Sequence, residues 1–277
     1  MRHYLFIIVA AIIFGSSGVF VKTAHLPVAS LAFLRMVVPF ALMSLVFLFR
    51  KKAFPSFNDK YMLIGSALNA MRMLFFFAGY AYGNISTTVI LLYTWPVFAT
   101  LWSCLFLGEK VSRERVGLFA TTFAGVALIV MNQTLSLSNQ RFTGLVFILL
   151  TSIIYSMTIV IFKKKSLNYD PFEILWFQNG IGAVVFFPFL MMTRPFPELW
   201  QFGLASGYGF LVGIVGFGLF FSGLRKIEAS KASFLTYIEV VSGIFFGVVF
   251  FNEQLTWNII AGGSLVLMSA LALSRKG

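Results

Sequence analysis

The sequence predicts an all-α integral membrane protein with ten transmembrane helices, arranged as two inverted five-helix repeats. Three observations predict this fold class: a hydrophobic composition, basic residues confined to alternate loops, and an internal duplication. Hydrophobic residues make up 59% of the chain and charged residues only 11%, whereas a soluble domain carries about 25% charged residues. The apolar runs are roughly 20 residues long, which indicates membrane-spanning helices rather than the short strands of a barrel.

The apolar runs define the helices, and short polar loops separate them. The first run follows Arg2 and ends in small residues, as a secretion signal does. It is kept as a helix because each half of the duplication needs five. The fourth and ninth runs carry the duplicated motif, and the eighth is rich in glycine. In order, the predicted helices span residues 4–23, 28–49, 61–80, 86–107, 114–131, 142–162, 173–193, 203–222, 230–251 and 257–274.

The basic residues predict which loops face the cytoplasm. All but five of the 21 Lys and Arg residues lie in alternate loops and at the two termini. The exceptions are Lys22, Arg141 and Arg194 on the opposite side, and Arg35 and Arg72 inside helices. The positive-inside rule therefore places both termini in the cytoplasm. The net charge of +12 would suggest nucleic acid as the partner of a soluble protein. Here the loops explain it, so the expected partner is the lipid bilayer and not nucleic acid.

A constant offset of 144 residues relates the two halves of the chain. The basic residues do not follow the offset, as expected when a copied segment is inverted in the membrane. Five helices per half also invert the second half, so the predicted units are residues 1–136 and 137–277. Inverted repeats are typical of secondary transporters, whose halves move around a site at the middle of the membrane. A structural or channel role is the alternative. The offset pairs Gly79 with Gly223, Tyr93 with Tyr237, Trp95 with Glu239, Glu109 with Glu253 and, more weakly, Arg35 with Asn179.

The duplicated motifs resemble those of a known family. In the first half, Leu92–Phe98 reads Leu-Tyr-Thr-Trp-Pro-Val-Phe and Phe106–Ser112 reads Phe-Leu-Gly-Glu-Lys-Val-Ser. Their counterparts are Tyr237–Val240 and Phe250–Thr256, and Phe14–Ser17 reads Phe-Gly-Ser-Ser. Over all ten predicted helices the chain resembles the EamA-type transporters of the drug/metabolite transporter superfamily.

The resemblance implies two inverted units around a central cavity, which helices one to four and six to nine line, with the fifth and tenth helices at the periphery. It also implies transport of small organic solutes, often outward. We expect a bacterial inner (plasma) membrane location and a monomer or homodimer. The chain departs from the family pattern at Val240, where proline often follows the glutamate, and at Asn252, where glycine is usual.

Three ionisable residues inside predicted helices are the main candidates for substrate binding. A charge at the bilayer centre costs about 2.5–3.5 kcal/mol, so Arg72, Arg35 and Glu239 must face a partner or a wet cavity. The arginines suit a carboxylate or phosphate group. Glu239 suits an ammonium group, or binds and releases a proton, because desolvation favours a neutral carboxyl. The alternatives are an interface position for an arginine, a structural role for Glu239, and an ion pair between Glu239 and an arginine.

Aromatic and amide side chains are expected to complete the site, although each could instead pack or anchor the membrane interface. Asn69 shares a helix face with Arg72, and Trp176 shares one with Asn179. The duplicated motifs add three aromatic residues, and the sixth helix adds one. The further substrate-binding candidates are Tyr93, Trp95, Tyr237, Asn69, Trp176, Asn179 and Tyr155.

Prolines and glycines mark helices that could bend. Pro96 and Pro39 interrupt the backbone hydrogen bonds of the fourth and second helices. Gly213 and Gly216 lie in the glycine-rich eighth helix, where close helix packing is the alternative to a hinge. Glu253, which precedes the tenth helix, is expected to stabilise the N-terminus of that helix.

The predicted function is export of small polar metabolites, chiefly amino acids or related compounds, by a secondary transporter with alternating access around a central cavity. Arg72, with Arg35, would hold a carboxylate, and Glu239 an amine or a proton. Two alternatives stay open: efflux of drugs or organic cations with Glu239 as the sole anchor, and a passive solute channel. The sequence contains no metal-ligand cluster, P-loop or hydrolase arrangement, which predicts no cofactor, no metal and no enzymatic activity.

Overall fold

A computed structural model describes residues 2–49, 51, 54–55, 58–107, 113–131, 138–165, 168–224, 227 and 235–274, and the regular elements within them are all helical. Glu109 and the first residues of the predicted ninth helix, 230–234, lie outside the described residues. The described helices are α1 (Arg2–Gly15), α2 (Ser17–Ala24), α3 (Val28–Phe49), α4 (Lys60–Tyr82), α5 (Ile85–Leu92), α6 (Trp95–Leu107), α7 (Arg113–Val130), α8 (Gln140–Lys165), α9 (Pro171–Met192), α10 (Leu199–Phe210), a π-helical segment (Leu211–Gly216), α11 (Phe217–Leu224), α12 (Ile238–Phe251) and α13 (Trp257–Ser274).

The helices have the length and surface of membrane spans. Within the described residues, seven stretches are long and apolar enough to cross a bilayer, and three shorter apolar helices accompany them. Large apolar side chains cover the outside (Val184, for example, is 72% exposed), whereas polar residues such as Thr88 are buried. This distribution is expected where the outer surface contacts lipid. The chain is an integral membrane protein. The three shorter helices are Val116–Val130, Ile238–Phe251 and Trp257–Ala272.

The first predicted helix is interrupted at Ser16, between α1 and α2. The hydroxyl groups of Ser16 and Ser17 donate to the carbonyl oxygens of Ile13 and Phe14, each at 2.6 Å. Serine hydroxyls that bond back to the preceding turn compete with the backbone ladder and bend helices. The bend follows from two adjacent serines in an otherwise apolar run.

The fourth predicted helix breaks between α5 and α6. Pro96 is the second residue of α6 and has no N–H to donate to the carbonyl of Leu92. The hydroxyl of Ser152 on α8 lies within hydrogen-bond distance of the carbonyl oxygens of Leu91 (3.2 Å) and Leu92 (3.0 Å). A side chain from the second half therefore satisfies backbone groups that the break leaves free.

The helices at equal positions in the two halves pack against each other. α3 packs against α9 and α7 against α13. α5, from the fourth predicted helix, packs against α12, from the ninth. A second contact is also repeated in the two halves. α4 packs against α8, and their counterparts, α11 with the π-helical segment and α1, pack against each other. The main hydrophobic core lies between these helices and includes the fully buried Phe77, Tyr80 and Val89.

Candidate functional site

The helix breaks in the two halves meet at a pair of tyrosines. Tyr93 follows the last residue of α5, and a turn at Tyr237 precedes the first residue of α12. These residues are related by the 144-residue offset, and their ring centroids lie 4.9 Å apart. Interrupted helices at membrane depth leave backbone groups free to bind solutes, provided that they line a cavity.

Glu239 lies beside this pair, in the first turn of α12. The hydroxyl of Tyr93 lies 2.9 Å from Oε2 of Glu239 and 2.7 Å from the carbonyl oxygen of Thr236, and these two acceptors share its single proton. The sequence placed Glu239 about ten residues inside a continuous helix. The break at Tyr237 instead puts it next to a helix N-terminus, where a negative charge is favourable.

Arg72 lies in the middle of α4 and is held in place by neighbours in sequence and in space. Its Nε donates to Oδ1 of Asn69 at 3.0 Å, and its Nη2 lies 3.0 Å from the sulfur of Met73. The guanidinium carbon is 4.9 Å from the ring centroid of Tyr155, which is within the range of a cation–π contact. Tyr155 in turn meets Trp95 edge to face at 5.5 Å.

Arg72 and Glu239 attract each other across these aromatic rings. Among the described side chains no ion pair joins the two; Arg72 is bonded to Asn69 and Glu239 to Tyr93. Both residues are half-buried rather than sealed in the core. The arrangement holds two opposite charges apart, so a solute with a carboxylate and an ammonium group could contact both.

Arg35 is the second cation of the site. It is 7% exposed, and its Nη1 donates to Oδ1 of Asn179 at 3.0 Å. Asn179 is oriented by its own Nδ2, which donates to the carbonyl of Leu175 at 2.7 Å. The hydroxyl of Tyr208 also interacts with Arg35. Arg35 lies near enough to Arg72 for the two guanidinium groups to repel each other.

Trp176 does not lie with these residues. Its indole N–H donates to the hydroxyl of Ser44 at 2.7 Å, and its ring packs against Phe40 and Phe47. It belongs to a separate hydrophobic cluster near the N-terminal end of α9. Trp176 and Asn179 are three residues apart on α9, and this distance separates an aromatic environment from a polar one.

The bending candidates lie at helix breaks or helix contacts. Pro96 begins α6 after the break, whereas α3 continues through Pro39 without interruption. Gly213 and Gly216 both belong to the π-helical segment. Such segments are rare and often mark functional positions. A Cβ atom on Gly213 would lie 2.9 Å from the ring of Pro39, so close packing also explains this glycine.

Two residues of the site region were not predicted as such. Tyr208 lies between Gly207 and Gly209, a setting that suggests helix packing and not polar contacts. Glu253 was expected at the N-terminus of its own following helix. In the structure its carboxylate accepts from the backbone N–H groups of Ile85 (2.6 Å) and Ser86 (2.9 Å), and from the Ser86 hydroxyl (2.7 Å). It therefore stabilises the N-terminus of α5 in the other half.

A cavity of about 170 Å³ lies between α6, α7 and α8, with Thr94 in its lining. Its lining is mainly apolar and includes Val97, Phe123 and Leu149. None of the predicted binding residues contributes to it. A cavity of this kind suits lipid or hydrophobic packing rather than a charged solute.

The chain is similar to known transporters along nearly its whole length. The EamA-like transporter family matches residues 1–131 and 142–275. An uncharacterized transporter of Archaeoglobus fulgidus is 27% identical over 271 residues, which cover 98% of this chain and 95% of the relative. The Pseudopaline exporter CntI of Pseudomonas aeruginosa is 25% identical over 274 residues, again covering 98% of this chain and 95% of the relative.

More distant similarities extend to animals and to a solved structure. Solute carrier family 35 member G1 of Homo sapiens is 23% identical over 277 residues, covering 95% of this chain and 76% of the relative. One crystal structure has a TM-score of 0.63 at 14% identity and covers 99% of this chain and 98% of its own. At that identity the likeness shows a shared fold.

Proposed function

The chain belongs to the EamA-like transporter family, and we propose that it exports small polar metabolites, with amino acids or related zwitterions as its substrates. Its relatives are named as transporters and not as enzymes. One relative is named an exporter, which supports the outward direction. Alternating access around the site between the helix breaks is the proposed mechanism.

The proposed architecture has ten transmembrane helices in two inverted units, residues 1–136 and 137–277. Each of the two stretches matched by the family falls in one unit. The packing of α3 on α9 and of α7 on α13 supports the duplication, because these helices hold equal positions in the two units. The halves would rock against each other as a monomer or within a homodimer.

The proposed location is a bacterial inner (plasma) membrane with both termini in the cytoplasm, as the positive-inside rule suggests. Single cysteines at positions 141 and 164, introduced after replacement of Cys104, test this orientation with a membrane-impermeant thiol reagent. We expect position 141 to react from outside intact cells and position 164 only after the membrane is opened. Reaction of both from the same side would contradict the orientation and the helix count.

One observation carries the proposed substrate class. Arg72 and Glu239 lie in one aromatic cluster, attract each other, and are not joined by an ion pair among the described side chains. The carboxylate of a zwitterion would contact the guanidinium group of Arg72. Its ammonium group would contact Glu239, which is also the candidate for proton coupling. Tyr93, Tyr237, Tyr155 and Trp95 would enclose the rest of the solute.

A second candidate substrate class is an organic cation. The rings of Tyr93 and Tyr237 lie beside Glu239, and aromatic rings with a carboxylate suit a cation. Arg72 argues against this reading, because it lies over the ring of Tyr155 and would repel a cation in the same cluster. The zwitterion is therefore preferred.

Counterflow into proteoliposomes tests the proposal. The purified full chain is reconstituted, loaded in turn with each common amino acid or with tetraphenylphosphonium, and assayed for entry of the same labelled compound. We expect saturable counterflow of at least one amino acid. Charge-assisted hydrogen bonds contribute about 1.5–3 kcal/mol, or roughly 10- to 150-fold in affinity, so Arg72→Gln and Glu239→Gln should each weaken uptake by about tenfold or more. Arg141→Gln and Glu198→Gln remove exposed charges and serve as controls.

Three other outcomes would contradict the proposal, and two of them would indicate a different function. Amino-acid counterflow that survives Arg72→Gln would exclude the zwitterion arrangement. Counterflow of tetraphenylphosphonium alone, lost in Glu239→Gln, would indicate an organic-cation transporter. Flux without saturation or counterflow would indicate a passive channel.

A further inference from the structure

Arg35 is a buried cation whose hydrogen-bonding capacity is only partly used. The guanidinium group is planar and carries five N–H donors. Nη1 is bonded to Asn179, but Nε is buried and has no hydrogen-bond partner within the described part of the chain. An unpaired buried donor on a charged group is costly, and native structures rarely keep one without a reason. The free donor lies on the edge of the guanidinium group that binds carboxylates with two parallel hydrogen bonds.

The position of Arg35 is fixed by close backbone packing. A Cβ atom on Gly209 would lie 2.7 Å from the carbonyl oxygen of Arg35, so α10 approaches α3 closely at this point. Tyr208, the neighbour of Gly209, is thereby brought to Arg35 and to Ser17. Asn179 on α9 fixes the other side of the guanidinium group. The group is held between α9 and α10 and cannot extend to the membrane interface as a flexible arginine would.

The charges of the site do not balance. Arg35 and Arg72 repel each other, and Glu239 is the carboxylate that acts on Arg72. Among the described side chains, Tyr208 is the one that attracts Arg35, and no carboxylate does so. Among the described residues, the buried guanidinium group of Arg35 and the half-buried one of Arg72 therefore share one carboxylate. Like charges held close in a weakly polar environment require an anion to compensate them.

We propose that Arg35, with Asn179 and Tyr208, binds a second anionic group of the transported compound. The substrate would then be an amino compound with two carboxylates, one on Arg72 and one on Arg35, and one ammonium group on Glu239. This inference rests on the proposed function of the same site and adds the second carboxylate. Such a compound carries a net charge of one negative, which balances the excess positive charge of the site. A monocarboxylate amino acid would leave Arg35 without compensation.

Binding of amino acids and their amides tests the proposal directly. Aspartate and asparagine have nearly the same shape and differ by one negative charge, as do glutamate and glutamine. Two chain lengths are used because the spacing of the two carboxylates must match the spacing of the two arginines. Dissociation constants are measured on the purified full chain by competition with a labelled dicarboxylate amino acid. We expect one acid to bind about tenfold or more tightly than its amide, since one charge-assisted hydrogen bond is worth about that factor.

Variants test whether Arg35 causes the tighter binding of the acid than of its amide. Arg35→Gln should reduce the acid-to-amide ratio to about one, while the affinity for the amide stays within about threefold. Tyr208→Phe keeps the cation and removes the hydroxyl, so it should lower the ratio partly, and it serves if Arg35→Gln does not fold. Arg141→Gln removes an exposed cation outside the site and should leave the ratio unchanged.

The failures of the two proposals are distinguishable. If the amides bind as tightly as the acids in the unmodified protein, or if Arg35→Gln and Tyr208→Phe both keep the preference, the second anion site is wrong and the transport proposal stands. If neither the acids nor the amides bind or exchange across the membrane, the proposed function itself is wrong.

Discussion

Arg35 and Asn179, which the 144-residue offset relates, are bonded to each other: Nη1 of Arg35 donates to Oδ1 of Asn179 at 3.0 Å between two buried side chains. Residues related by a two-fold axis contact each other only where they lie close to that axis. Tyr93 and Tyr237 are a second such pair, with ring centroids 4.9 Å apart. The two contacts indicate where a pseudo-two-fold axis in the plane of the membrane would pass.

Exchanging Arg35 and Asn179 in a double variant should restore the stability that each single substitution removes. Arg35→Asn removes the charged donor, and Asn179→Arg places two guanidinium groups side by side. We expect each single variant to lower the free energy of unfolding by about 1.5–3 kcal/mol, the value of a hydrogen bond to a charged group. The proposed pseudo-two-fold axis passes close to this pair, so the double variant should recreate the bond in the opposite direction and recover at least half of the loss.

Thermal unfolding in detergent, analysed as a double-mutant cycle, measures this coupling. Ser264→Ala is the control, because the Ser264 hydroxyl is exposed and bonds only to Ile260 in its own helix. Its effect should stay within about 0.5 kcal/mol. Strictly additive losses in the double variant would show that the two positions are not equivalent.

Glu253 should stabilise the contact between the two halves at the start of α5. Its carboxylate accepts from two backbone N–H groups and one hydroxyl, all within 2.9 Å. Glu253→Gln keeps the shape but loses the charge, and should lower the free energy of unfolding by about 1–2 kcal/mol. Ser86→Ala removes only one of the three donors and should have a smaller effect. The midpoint of thermal unfolding compares the two variants, and an equal or reversed order would refute the assignment.

Helix positions could be predicted from the sequence because long apolar runs and basic loops depend only on local composition. The contacts of Glu253 could not. A carboxylate before a helix normally stabilises that helix, and nothing near Glu253 in sequence indicates that it bonds to Ile85, 168 residues away. The hydrogen bond at the break before Pro96 could not be predicted for the same reason, since Ser152 lies 60 residues from Leu92. Local patterns predict where a helix breaks. Only the fold determines which distant side chains bind the backbone groups that the break leaves free.

The charged members of the site could also be predicted, because a charge inside an apolar helix needs a partner. Their aromatic and amide neighbours were harder. Trp176 and Asn179 share a face of α9, yet three residues correspond to a rise of about 4.5 Å along the helix, which is enough to move from the polar site to an aromatic cluster. Tyr208 was missed because its glycine neighbours indicated packing alone. Helical periodicity gives the face on which a residue lies and not the residues that meet it from other helices.

Gly15 should tolerate no side chain. A Cβ atom there would overlap the hydroxyl oxygen of Ser242 and lie 2.7 Å from the carbonyl oxygen of Glu239. Gly15→Ala is therefore expected to separate α1 from α12, to lower the thermal midpoint, and to disturb the placement of Glu239. Gly207→Ala is the matched control, because a Cβ atom at Gly207 meets nothing within 4 Å. In a helix interior that change should be neutral or stabilising by up to about 1 kcal/mol.

The test is whether Gly15→Ala and Gly207→Ala differ in stability and in activity. Both should be compared for thermal midpoint in detergent and for counterflow activity in proteoliposomes. A loss in Gly15→Ala with none in Gly207→Ala supports close packing at the site. Equal behaviour of the two variants would mean that α1 can move away from α12 at little cost.

Tyr93→Phe should weaken transport more than it weakens the fold. The change keeps the ring that contacts Tyr237 but removes the hydroxyl that bonds to Glu239 and to the carbonyl of Thr236. A carboxylate without this partner is no longer held toward the solute, so we expect the half-saturating substrate concentration in counterflow to rise by about tenfold. Tyr82→Phe removes an exposed hydroxyl near the end of α4 and should change neither property. If Tyr93→Phe lowers the thermal midpoint but leaves counterflow unchanged, the hydroxyl supports the helix break and has no part in holding Glu239 for the substrate.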